Sequence, residues 1–281
     1  MTDATRAAGD YEPNSVYSLG ANDAESGRLR RQAEELLAAS TTLIDRVGLA
    51  PGDAAIDLGC GPTGILELLH DRVGPSGRVV GVDADSIHVA MAADMAAARK
   101  LSNVEVMVAD ARNTGLPSSS FDVVHARLLL INIPEPAEVL GEMVRLAKPG
   151  GWILSLEADC ECSICYPPHP AYQRLVEMFA PVFTRNGADW RIGRRLAELY
   201  RSAGLTDVRV EARADVYPLG HTRRTIRVDL IRTMKPHVLQ LGLATEAELE
   251  ELCADALGHL DNPDAIVMPH LNFLLSGRKP A

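Results

Sequence analysis

Five short apolar runs, at residues 54–58, 78–82, 104–108, 121–126 and 152–156, alternate along the chain with helical patterns at 65–73, 87–98 and 137–146. Strand-length runs that are apolar on both faces must be covered on both faces, and intervening helices supply that cover when the strands lie parallel in one sheet. The alternation therefore restricts the chain to an α/β, doubly wound architecture. Further on, Val208, Val210, Ala212, Ala214 and Val216 alternate at period two, as do Leu271, Phe273 and Leu275. These add two strands, making seven, with the last one expected to run antiparallel. Before the sheet, Asn22 and Glu25 resemble a capping box, and Leu29, Ala33, Leu36, Leu37 and Ile44 recur at helical spacing, predicting one long amphipathic helix.

The expected division is an N-terminal segment and helix (1–48), a core (49–160), a cap segment (161–190), a core helix and strand (191–220), a helical cap (221–263) and a closing core strand (264–281). The stretch TEAELEELCADALGHL gives the second cap its helical character. Open α/β sheets bind ligands at the carboxyl edge of their strands, so both caps are expected to lie over that edge.

Composition narrows the function. No apolar stretch approaches the roughly 18 residues of a membrane span, and MTDATRAAGDYEPN has no apolar export core. Five cysteines, an odd number, point to reduced thiols in a cytoplasm. A net charge of −10, with arginines such as Arg28, Arg194, Arg223 and Arg224 scattered among acids, disfavours a nucleic-acid partner.

The stretch DLGCGPTG, residues 57–64, stands where a strand pattern gives way to a helical one. Glycines there let backbone approach a ligand closely, although they can also serve a tight turn alone. Two further acids favour the ligand. Asp83 ends RVVGVD, at the distance from the loop where a carboxylate takes ribose hydroxyls, and Asp110 ends VEVMVAD. With Asp57 they make three carboxylates at one sheet edge, which opposes a pyrophosphate and suits a ligand carrying an ammonium and a sulfonium. S-adenosylmethionine is such a ligand.

The stretches AAIDLGCGPTG, GRVVGVDAD, VEVMVADARNTGLPSSSFDVVHARLLL and VRLAKPGGWILSLE, in this order over residues 50–160, resemble class I S-adenosylmethionine-dependent methyltransferases of the ubiquinone/menaquinone type. YSLGANDAESGRLRRQ is similar to the lid helix of their small-molecule branch. The resemblance implies a Rossmann-like fold and S-adenosylmethionine as cofactor. Asp57, Gly59, Cys60 and Gly61 would surround its methionine part, Asp83 the ribose, and Ala84 and His88 the adenine. Asp110 and Ala111 would meet the adenine amino edge, Ala126 and Arg127 would close the site, and Tyr17 would belong to the lid. There are two departures: Thr63 stands where the family's loop has glycine, with Gly64 one place later, and Asn132 stands where relatives often carry histidine.

Methyl transfer needs positioning and water exclusion, and a base only where the nucleophile must lose a proton. His125, His169 and His221 are candidates for that base, with His169 preferred because its segment is expected to face the acceptor. Tyr166, Tyr172, Phe179, Phe183 and Trp190 crowd the same segment, as a small core or an acceptor wall. Cys160, Cys162, Cys165 and His169 invite a zinc site, but ligands crowded on one segment lack the usual two-loop spacing, and no metal is expected. Glu157 and Asp159 are read as orienting a polar acceptor group or capping helix ends.

The expected activity is methyl transfer to oxygen or carbon of a small, partly apolar acceptor. An aromatic or prenylated metabolite of secondary or quinone-type biosynthesis fits that description. HARLLLINIP follows the fourth strand in place of an N-P-P-Y-like run, which disfavours amino-group DNA chemistry. Self-association into a homo-oligomer is left open. The rivals are a nicotinamide-dependent oxidoreductase and a catalytically inactive cofactor-binding regulatory module.

Overall fold

The computed structural model describes residues 23–281. Asn22, half of the expected capping box, and Tyr17 lie outside the described residues. Helices α1 (Asp23–Glu35) and α2 (Leu37–Asp45) lead into β1 (Ala54–Leu58), α3 (Leu66–Val73), β2 (Arg78–Asp83), α4 (Ser86–Ala98), β3 (Val104–Val108), β4 (Phe121–Arg127), α5 (Pro136–Leu146) and β5 (Ala147–Asp159). The second half runs β6 (Ile164–Tyr166), α6 (Pro170–Glu177), α7 (Phe179–Arg185), α8 (Ile192–Ser202), β7 (Thr206–Arg213), α9 (Ile226–Thr233), α10 (Lys235–Gln240), α11 (Glu246–Leu260), β8 (Ile266–Met268) and β9 (Leu271–Arg278).

Seven strands form one sheet in the order β3-β2-β1-β4-β5-β9-β7. Strand β9 pairs antiparallel with both β5 and β7, so it alone runs against the other six. This is the mostly parallel, Rossmann-like sheet that the alternation of runs predicts. Successive residues of the central strands enter opposite cores: Ile56, Val80 and Val124 pack on one face, and Ala55, Val79 and Val123 on the other. The second face is closed by Leu43 and Ile44 of α2 and Leu66 and Leu69 of α3. Each such fully buried aliphatic side chain contributes about 1.5–3 kcal/mol.

Two expectations change. The N-terminal helix is bent into two, although the bonds from Leu36 N–H to Gln32 and from Ser40 N–H to Leu36 carry the helical pattern across the junction. Strand β7 stops at Arg213 rather than continuing to Val216, because its partner β9 begins at Leu271 and Asn272, the residue opposite Arg213. The Tyr217 N–H instead donates to Val267, in the small β6–β8 sheet that the sequence did not reveal. Helix α11 starts on a full capping box between Thr245 and Glu248.

Candidate active site

Parallel strands deliver their C-terminal ends to one edge, and β1 with β4 diverge in connection there, which opens a crevice. Helices α7 and α9 and the segments around Arg223 and His270 close its far side.

The loop after β1 is held from both sides by carboxylates. Asp57 is buried, and its Oδ2 accepts the Ile65 N–H at 3.0 Å at the start of α3, while Oδ1 meets His125 Nδ1 at 2.7 Å. With Nδ1–H donated, the buried Nε2 of His125 has no partner among the described residues. Gly64, at φ +52°, must be glycine, because a Cβ there would collide with Asp57 Oδ2 and come within 2.9 Å of the Cys60 carbonyl. The sequence departure at Thr63 thus moves the obligatory glycine by one place. The Thr63 hydroxyl is buried at the cavity wall with no partner among the described residues.

Asp83 Oδ2 accepts the Gly61 N–H at 2.7 Å and its Oδ1 accepts the Asp85 N–H at 2.9 Å. Asp110 is gripped by Arg112 through the guanidinium and the backbone N–H. Burial raises its pKa, the bonds to Arg112 lower it, and the net direction is downward, so it is ionised at neutral pH. Burial, then Asp57 and Asp83, push the Cys60 thiol well up, so it stays protonated and acts as a small apolar filler.

At the β4 end, Arg127 donates to the Ser40 hydroxyl at 3.1 Å and to the Gly64 carbonyl at 3.3 Å. Burial lowers its pKa to about 10, with Asp57 opposing and Arg223 adding to the shift, so it remains a cation at neutral pH. Leu128 next to it holds a left-handed φ of +50°, a conformation costing roughly 1–2 kcal/mol for a side-chain-bearing residue. Glu157, fully buried on β5, accepts the N–H groups of Leu129, Leu130 and Ile131 at 2.9, 2.8 and 3.2 Å. Its role is therefore to cap the turn that follows β4. Burial raises its pKa to about 8 against those three bonds.

Of the residues proposed from sequence, Asp57, Gly59, Cys60, Gly61, Asp83, Ala84, His88, Asp110, Ala111 and Arg127 all line the one cavity. Ala126 is buried inside β4, behind the lining. His125 is wholly buried in the Asp57 bond, and His169 stacks on His259 with ring centroids 4.6 Å apart, so neither reaches the cavity. His221 is tilted against Tyr217 and also stays out of it. Among the five clustered aromatics Phe179 and Phe183 line the cavity, Tyr172 is buried in the cap core, and Tyr166 is exposed. Asp159 pairs with Arg194. The five cysteines are unpaired, and among the described residues no three His, Cys, Asp or Glu side chains gather as a metal would need. Arg28, Gln32, Arg223 and His270 also line the cavity. They belong to helix-like or loop segments whose polar residues carry no positional signal.

A glycine loop clasped by two strand-end carboxylates, on a seven-stranded sheet with one reversed strand, defines the fold of class I S-adenosylmethionine-dependent methyltransferases. The family model described as "Methyltransferase domain" matches residues 49–192, about half of the chain, and the protein belongs to that family. The chain is 33% identical over 196 residues to an uncharacterized 37.1 kDa transposon protein of Streptomyces fradiae, covering 66% of this chain and 55% of that protein's length. It is 28% identical over 179 residues to a demethylmenaquinone methyltransferase of a Geobacillus species, covering 59% of this chain and 76% of that enzyme. In fold it is similar to the geranyl diphosphate C-methyltransferase of Streptomyces coelicolor, with TM-score 0.56, 15% identity, and 93% and 87% of the two chains covered.

Proposed function

We propose that the protein transfers a methyl group from S-adenosylmethionine to oxygen or carbon of a small, partly apolar acceptor. The observation that carries this reading is the bond from the Gly61 N–H to Asp83. In a dinucleotide site the loop's N–H groups face a pyrophosphate. Here a carboxylate already occupies one of them, and Asp57 takes another at the helix start, so the loop presents negative charge where a cationic ligand fits.

The residues fit that cofactor. An ionised carboxylate offers about four acceptor positions. Asp83 spends two of them internally, which leaves capacity for the ribose hydroxyls. Ala84 and His88 would flank the adenine, and Asp110 with Ala111 would meet its amino edge. Gly59, Cys60 and Gly61 would follow the methionine part, joined by the unpartnered Thr63 hydroxyl. Asp57 acts from behind, holding the loop, and His125 orients Asp57. When bound, S-adenosylmethionine supplies an electrophilic methyl group on a sulfonium whose leaving group is neutral. The chain's part is to orient that group, exclude water and seat the acceptor.

Phe179, Phe183, Ile226 and Leu230 give the acceptor side an apolar wall, in keeping with an aromatic or prenylated molecule. The similarity to a demethylmenaquinone methyltransferase supports a quinone-type acceptor. Five unpaired thiols accord with a reducing cytoplasm.

Calorimetric titration with S-adenosylhomocysteine and with NADH tests the cofactor. Binding of the former alone is expected, and tight binding of NADH alone would overturn the reading. Turnover against aromatic and prenylated acceptors, followed by S-adenosylhomocysteine release, separates an enzyme from an inactive cofactor-binding module.

A further inference from the structure

Three arginines are buried in the cap, and among the described residues only Arg223 has a carboxylate partner, Glu35. Arg223, Arg224 and Arg227 are 2%, 3% and 1% exposed. Arg224 is satisfied, since its guanidinium donates to the carbonyls of Leu260, Tyr217 and Asn262 and so ties down the end of α11. Arg227 is held by the carbonyls of Pro269 and Cys160 and lies 4.6 Å over the Phe179 ring, but its Nη1 has no partner among the described residues. Arg223 lines the cavity. Its Nε donates to Glu35 at 2.7 Å, while its Nη2 is buried and has no partner among the described residues. His270 also lines the cavity, its buried Nε2 has no partner among the described residues, and burial beside Arg223 and Arg227 keeps its pKa well below normal, so it is a neutral ring. On the β4 side Arg127 donates to a hydroxyl and a carbonyl, with Asp57 the acid that acts on it.

Burying cations without compensating anions costs several kcal/mol each, and an unmade charge-assisted bond adds to that cost. The cavity's own acids, Asp57, Asp83, Asp85 and Asp110, come from the opposite wall and are committed there to the loop, to Asp83's own turn, to α4 and to Arg112. We infer that the acceptor carries an anionic oxygen group, a carboxylate or an ionised phenol or enol, that docks on Arg223 Nη2 and His270 Nε2 with its apolar body against Phe179 and Phe183. The inference rests on the cofactor assignment above. The same arginines could instead hold the carboxylate of the cofactor's methionine part, and the experiment separates these two sources.

The full chain is titrated with S-adenosylhomocysteine and with 5′-methylthioadenosine, which lacks the amino-acid portion. The S-adenosylhomocysteine complex is then titrated with benzoate, 4-nitrophenolate and neutral benzamide. At least one anion should bind the complex about tenfold or more tighter than benzamide, as expected for one charge-assisted bond. Arg223→Gln should abolish that preference while changing S-adenosylhomocysteine affinity less than about threefold. Arg223→Lys retains the charge facing Glu35 but not the second guanidinium nitrogen, and His270→Asn leaves the ion pair alone. Each should reduce the preference, which keeps the test open should Arg223→Gln not fold. Equal binding of anions and benzamide by the wild-type complex overturns the inference. So does an Arg223→Gln variant that loses S-adenosylhomocysteine but keeps 5′-methylthioadenosine, because the arginine then serves the cofactor's carboxylate. Should the wild type bind neither nucleoside, the cofactor reading itself fails, and the anion preference is read separately on the ligand-free protein.

Discussion

The two walls of the cavity are built on different principles. The wall proposed for the cofactor comes from the ends of β1, β2 and β3, neighbours in one sheet, and its acids are pinned by backbone N–H groups of their own or adjacent turns. The wall proposed for the acceptor gathers Phe179 and Phe183 from α7, Arg223 from the turn before α9, and His270 from between β8 and β9. One wall is acidic, with its carboxylates bonded to nearby N–H groups, and the other is basic and aromatic, with Arg223 Nη2 left over among the described residues. A wall made of strand ends inherits its geometry from the sheet ladder. A wall made of separate cap segments depends on how those segments pack, and so it is where acceptor choice can change without disturbing the cofactor site.

If the walls are that distinct, the largest effect should follow from breaking the loop. Gly64→Val would press a branched side chain into Asp57 Oδ2 and demand a left-handed backbone. We expect a stability loss of about 3 kcal/mol or more and S-adenosylhomocysteine affinity reduced by about 100-fold. Chemical denaturation and calorimetry would measure both, and a stable variant with normal binding would show that the clasp is dispensable.

Asp83→Ala should act on the ligand rather than the fold. Each lost charge-assisted bond is worth about 1.5–3 kcal/mol, so affinity should fall at least about tenfold. An unchanged dissociation constant in a folded variant would remove Asp83 from the ribose assignment.

Glu157, under the turn that joins the walls, should appear in the pH dependence of stability. Its pKa is raised from 4.5 to about 8 in the fold, so the folded state holds the proton more tightly than the unfolded chain. The stabilising contribution is full below 4.5 and is lost as pH rises through about 8. Each unit of difference is worth about 1.4 kcal/mol, which makes the loss a few kcal/mol at most. Denaturation midpoints of the wild type should decline across that window. Those of Glu157→Gln, which mimics the protonated acid, should decline less, and parallel curves would show that Glu157 does not titrate there.

The smallest effect is expected in the cap. His169 stacks on His259 outside the cavity, so His169→Ala should change stability by less than about 1 kcal/mol. Turnover at saturating acceptor should change by less than about twofold. A loss of turnover with intact S-adenosylhomocysteine binding would bring His169 into the chemistry and erase the proposed boundary between site and cap.

The succession of strands and helices, the position of the glycine loop and the acids Asp57, Asp83 and Asp110 were legible in the residues alone. Each is a local pattern: apolar alternation sets strand and helix, and a parallel sheet brings successive strand ends to one edge whatever the detail of the packing. The small β6–β8 sheet was not legible, since it joins residues 164–166 to 266–268 across about a hundred positions and its short strands carry no period of their own. Arg223 and Arg224 show in the sequence only as arginines scattered among acids, and nothing local marks that both are buried. His125 was placed correctly at the end of β4, but whether its ring faced the cavity or Asp57 was decided by the neighbouring strand. His169 drew attention through its neighbours in sequence, and its actual partner, His259, comes from the last turn of α11. The sequence by itself determined the sheet, its loop and its acidic edge, because backbone hydrogen bonding and side-chain alternation act between near neighbours. Which cap residues face the cavity was decided by tertiary structure alone, because burial there follows from packing among segments far apart in the chain, and no local pattern encodes it.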